Sequence, residues 1–70
     1  MERQLVSSSN LHSVGYDPAT STLQVQFNNG RIYDYFEVPD SIHKMLMGAF
    51  SKGTYFDEKI KDKYKTKRVL

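Results

Sequence analysis

Between Thr22 and Phe27 the chain alternates without a break, with Leu23, Val25 and Phe27 on one side and Thr22, Gln24 and Gln26 on the other. Successive side chains of a strand point to opposite faces, so this stretch predicts a strand with one buried and one wet face. The segment before it, Leu11–Asp17, is also strand-like, but its register is open. His12, Val14 and Tyr16 share one parity, and Leu11, Ser13 and Gly15 share the other. Asp17-Pro18-Ala19-Thr20 separates the two as a turn, because Pro presets φ and an Asp side chain can bond the backbone two residues on. A third strand rich in β-formers runs from Arg31 to Val38.

The link between the second and third strands decides what is buried. A two-residue Asn29-Gly30 turn pairs Phe27 with Ile32 and Val25 with Asp34, which puts a carboxylate on the apolar face. A three-residue Asn28-Asn29-Gly30 loop, with Gly30 left-handed in a bulge, pairs Phe27 with Arg31, Val25 with Tyr33 and Leu23 with Tyr35. A slip of one residue exchanges the faces of every side chain. Burying an unpaired carboxylate is costly, so the three-residue loop is expected, with both tyrosines inside and Asp34 beside Gln24 in solvent.

Val38-Pro39-Asp40-Ser41 starts a helix, with Pro39 at the first helical position and Asp40 favouring the positive end of the dipole. Ile42, Met45, Leu46, Ala49 and Phe50 follow at helical spacing, with Met47 and Lys44 off the stripe. Ser51 is suited to cap a second helix, in which Phe56, Ile60 and Tyr64 share a face. That helix is expected to reach about Lys63 and to give way to an extended tail. The predicted fold is α+β: a three-stranded antiparallel meander with two C-terminal helices packed on one face. Its core comprises Leu23, Val25, Phe27, Tyr33 and Tyr35 from the sheet. The helices add Ile42, Met45, Leu46, Ala49, Phe50, Phe56 and Ile60. Tyr33 and Tyr35 are thus expected as core rather than as platforms for stacked bases.

Seventy residues make a single domain, 1–70, with its core at about 8–64 and a basic tail at 65–70. The net charge of +2 conceals an asymmetry, because seven bases and only three acids fall within residues 51–70. Lys59, Lys61, Lys63, Lys65 and Lys67 alternate strictly, and an extended chain would line them up on one side. With Arg68, and with Arg31 and Lys52 extending the patch, they are the candidate residues for an anionic partner such as RNA, either tRNA or a single strand. A sheet edge that accepts another strand, or that mediates self-association, is the alternative, with a protein as partner.

Catalysis finds little footing. There is no cysteine, and the two histidines, His12 and His43, are read as surface residues. Asp57-Glu58 is read as a complement to the second helix's dipole, and Gly48-x-x-x-x-Gly53 lacks the Lys-Ser/Thr of a phosphate loop. No catalytic residue, cofactor, metal or small-molecule substrate is therefore expected. No apolar run approaches the ~20 residues of a membrane span. Met1–Asn10 has no apolar core of a secretory leader, so the expected address is the cytoplasm.

Val14-Gly15-Tyr16-Asp17 is followed by Leu23-x-Val25-x-Phe27-x-x-Gly30-x-x-Tyr33-x-Tyr35-x-x-Val38-Pro39. Ser51-x-Gly53-x-Tyr55-Phe56-x-x-x-Ile60, Tyr64 and a basic end complete the series. In this order they resemble the KTSC domain, found at the C-terminus of some lysyl-tRNA synthetases and as small bacterial and phage proteins. The resemblance covers about Ser8 to Val69. It departs at Asp57, where members often have Asn, and in a basic end made mostly of Lys rather than Arg. It implies a small domain of unknown function, with RNA binding suggested by the synthetase attachment.

Overall fold

The Asn28-Asn29-Gly30 loop sets the sheet. In the computed structural model, which describes residues 1–70, the elements in order are β1 (Gln4–Leu5), β2 (Leu11–Asp17), β3 (Thr22–Phe27), β4 (Ile32–Tyr35), α1 (Asp40–Gly48), α2 (Lys52–Lys59) and β5 (Thr66–Arg68). Gly30 has φ 90°, and the Phe27 and Gly30 amides donate to the Arg31 and Phe27 carbonyls, each at 2.9 Å. Leu23 therefore faces Tyr35, Val25 faces Tyr33, and Gln24 faces Asp34, donating to its carboxylate at 3.0 Å. The three-residue loop and its register are as the sequence predicts. At the other end of β3, Asp17 Oδ1 accepts from the Ala19 amide at 3.0 Å, closing the predicted turn.

The open register of β2 resolves through a bulge. Leu11 opposes Phe27, Ser13 opposes Gln26, and Val14 opposes Val25, so two steps along β2 match one along β3. The extra residue, His12, is exposed, and Leu11, Val14 and Tyr16 all turn to the covered face. Leu11 and Val14 are core residues that simple alternation could not assign to one side.

The sheet has five strands in the order β1-β2-β3-β4-β5, all antiparallel, rather than the three expected. Both additions are edge strands whose own residues are exposed, so they carry no apolar pattern. In β1, Gln4 opposes Val14 and Leu5 opposes Ser13. A Cβ on Gly15 would lie 2.6 Å from the Glu2 carbonyl oxygen, so glycine makes room for the N-terminal segment. The expected tail is extended, but it is also paired with β4: Tyr33 opposes Arg68, Asp34 opposes Lys67 and Tyr35 opposes Thr66. Pairing continues to the end, where the Ile32 amide donates to the Leu70 carbonyl.

Both helices cover the same sheet face. Leu46 of α1 and Phe56 of α2 join Leu11, Val14, Leu23, Val25, Tyr35, Val38 and Ile60 in the buried cluster, with Phe27, Tyr33 and Ile42 half-buried against it. Two expected core residues are corrected. Met45 is 60% exposed, and Phe50 stands wholly in solvent. The inward face of α1 is centred on Ile42 and Leu46 and flanked by His43 and Met47, which turns Met45 outward. The helix then stops at Gly48, and Ala49 is extended at φ −68°, ψ 142°, so Ala49 (half-buried) and Phe50 leave the stripe. Pro39 is the N-cap rather than the first helical residue.

Ser51 caps α2 as predicted, its Oγ accepting from the Thr54 amide at 3.3 Å. The helix ends at Lys59, short of the expected Lys63. The Lys61 amide turns back to the Phe56 carbonyl at 2.8 Å, and Asp62 adopts φ 62°. This reversal returns the chain to the edge of β4. No helix is long and apolar enough to cross a membrane.

Candidate nucleic-acid interface

Near the hairpin tip the aromatic side chains of the covered face are only partly enclosed, Phe27 and Tyr33 being half-buried. Phe27 is the centre of this cluster, edge-on to Tyr33 at 5.7 Å and to Phe56 at 5.5 Å, and Phe56 is edge-on to Tyr35 at 5.4 Å. These four rings floor a groove of about 270 Å³. Asn10, Asn29 and Arg31 rim it on the strand side, and Asp57 and Lys61 on the helix side. The strand-side rim is held by the loop before β2. The Asn28 amide donates to the Asn10 carbonyl at 2.9 Å, and the Ser8 Oγ accepts from the Asn10 and Leu11 amides at 3.2 Å.

Tyr33 is half-buried, whereas Tyr35 is 6% exposed. Burial, with the neighbouring Tyr33 and Asp62, pushes the Tyr35 hydroxyl up to about 12. Its ring is core, as expected. Tyr33 contributes to the core and also offers part of its ring to the groove.

The eight candidate basic residues are not collected on one side. Arg31 and Lys61 both line the groove. Arg68 opposes Tyr33 on β5 and so shares its sheet face. Lys67 opposes Asp34 on the other face, and Lys65 has the same parity as Lys67. Lys59 ends α2, and Lys63 lies in the reversal after it; both are exposed. Lys52 lies at the opposite end of α2, where its Nζ donates to the Ala49 carbonyl at 3.3 Å. The expected single line from Lys59 to Lys67 is broken, because helix end, reversal and strand follow one another within it.

Asp57 and Glu58 lie in the last turn of α2, not the first, so they do not complement its dipole. His43 stacks on Tyr16 at 4.8 Å and lies 3.9 Å from Asp40, while His12 is exposed at the bulge. No group of three His, Cys, Asp or Glu residues converges as metal ligands would. Sequence reasoning missed Asn10, Asn29 and Asp57 as neighbours of Arg31 and Tyr33. Their only advance signal was Gly30, whose loop places Asn29 and Arg31 at the same tip.

The KTSC domain profile matches residues 7–64. The chain belongs to the KTSC family. A crystal structure of a KTSC domain protein from Yersinia pestis superposes with a TM-score of 0.94 at 43% identity, covering 99% of this chain and 97% of that one. A lysine–tRNA ligase of Nostoc sp. is 43% identical over 54 residues, which is 77% of this KTSC chain but 10% of the ligase. The chain thus spans about a tenth of that relative's length. A protein of Stutzerimonas stutzeri is 38% identical over 64 residues and is matched over 90% of its length, so the KTSC unit occurs both within a ligase and as most of a small protein.

Proposed function

We propose that this KTSC domain is a non-catalytic module that binds RNA through its basic C-terminal segment, with most of the affinity coming from phosphate contacts. The observation that carries this reading is that Arg31 and Lys61, from separate segments, line one groove with the half-buried ring of Tyr33, while Arg68 pairs in register with Tyr33 on β5. Cations beside an accessible aromatic suit a single strand, whose phosphates and unstacked bases are available together. The similarity to a segment of a lysine–tRNA ligase supports RNA as the polyanion.

Binding to single-stranded RNA and tRNA across a salt series tests the reading. If about four side chains neutralise phosphates on a single strand, the log–log slope is roughly −3. Replacing Lys61, Lys63, Lys65 and Lys67 by Gln, all exposed, is expected to flatten the slope without altering the fold. No binding at low salt, or undiminished binding by the fourfold variant, overturns it.

The alternative, a partner strand added at β5, is motivated by the outer backbone of that edge. Lys65, Lys67 and Arg68 work against it, since charge on an edge strand discourages pairing. Binding that is insensitive to salt would favour this alternative.

A further inference from the structure

We propose that the groove at the hairpin tip is a pocket for a single unpaired guanine of the bound RNA. The base lies against Tyr33, its Watson–Crick edge faces Asp57, and the adjoining phosphate lies between Arg31 and Lys61. The proposal rests on the RNA reading above and adds a base to it.

Asp57 is the starting point. It sits in the last turn of α2, at the negative end of the helix dipole, where a carboxylate is disfavoured. It is exposed, and no cation lies within ion-pair distance; the ion pairs of the structure both belong to Asp40. Lys61 is four residues on, yet the two carry opposite charges on one rim without joining. A carboxylate in that position also repels phosphate, so phosphate binding alone gives it no role.

A carboxylate accepts and cannot donate. Guanine alone among the four RNA bases presents two adjacent donors, N1–H and N2–H, matched to two carboxylate oxygens. Adenine and cytosine each set one amino donor beside an acceptor, and uracil has one donor between two acceptors. The guanine O6 needs a donor, and Asn29 supplies one. Its Oδ1 is engaged by the Arg31 amide at 3.0 Å, while its amide nitrogen has no partner within the protein, across the groove from Asp57.

Size and surface agree. About 270 Å³ accommodates one base and not a run of them. Of the floor, Tyr33 and Phe27 are half-buried and leave ring surface open; stacking tolerates any base, so selection falls to the rim.

Fluorescence anisotropy with the full chain and four single-stranded octanucleotides tests the proposal. Each is uridine throughout except for one central position, occupied by guanosine, adenosine, cytidine or uridine. The guanosine oligonucleotide is expected to bind about tenfold more tightly than all-uridine. In the D57N variant that ratio is expected to fall toward one, and in E58Q, outside the groove, to persist; a thermal melt of each confirms folding. Equal affinity for all four, or a guanosine preference that survives in D57N, overturns the pocket and leaves RNA binding standing. If no oligonucleotide binds at low salt, both fall.

Discussion

At one end of the covered sheet face, Tyr16 is held at both its hydroxyl and its ring. Its hydroxyl donates to the Val38 carbonyl at 2.6 Å, and its ring stacks on His43 of α1. At the other end, Tyr33 meets Phe27 edge-on, pairs in register with Arg68, and leaves part of its ring on an open groove. Both tyrosines are half-buried, and both obey the same strand alternation. What differs is what engages the ring: α1 supplies His43 to stack on Tyr16, whereas Tyr33 shares a groove with Asp57 and Lys61. Similar burial thus serves packing at one end, and at the other keeps an aromatic surface available beside cations.

The contrast is sharpest within β4. Tyr35→Ala is expected to cost roughly 3 kcal/mol or more, against roughly 1 kcal/mol for Tyr33→Ala, because only Tyr35 is enclosed. Urea unfolding followed by circular dichroism measures both. A domain of this size has only about 3–5 kcal/mol in hand, so the Tyr35 variant is expected to be largely unfolded at room temperature. Equal costs for the two would erase the distinction between the closed and open parts of the strand.

An intermediate effect concerns alkali. The Tyr35 hydroxyl is raised in the folded state from 10.0 to about 12, so folding favours its protonated form. That contribution is fully present below pH 10 and is lost as the pH rises toward 12. Its size is at most about 2.7 kcal/mol. Stability is expected to fall more steeply over this range in the parent than in Tyr35→Phe, and ultraviolet titration is expected to show one tyrosine ionising late.

The smallest effect is at Phe50. Despite its size, Phe50→Ala is expected to change stability by less than about 0.5 kcal/mol, because the ring buries nothing. A larger loss by thermal melting would mean that this ring has a packing partner.

Phe50 also marks the limit of the sequence pattern. The periodicity through Ile42, Leu46 and Ala49 extends to it, but the helix ends first, and nothing in the residue types marks that end apart from Gly48. The hairpin register was legible because Asp34 makes one of two loops costly. The sides of Leu11 and Val14 were not, because a bulge at His12 breaks the alternation that would have paired them. The edge strands were illegible for a different reason: Gln4–Leu5 and Thr66–Arg68 are recruited by backbone hydrogen bonds at a rim that demands no apolar side chains. Of the candidate interface, the basic residues were legible by charge alone. Their division between two sheet faces follows from β5, and the acid among them from the early end of α2.

The return of β5 to β4 also bears on the order of events in folding. Gln26 and Ile32 find each other across a short loop, whereas Arg68 reaches Tyr33 across thirty-five residues of chain. Closing the longer loop costs on the order of 1–2 kcal/mol more in chain entropy, and β5 brings no buried side chain to offset it. The hairpin is therefore expected to form before β5 docks, and β5 to detach before the hairpin opens. Amide protons that β5 pairs are expected to exchange sooner than those of the β3–β4 ladder, and each such opening carries Arg68 away from Tyr33 while the core stays folded.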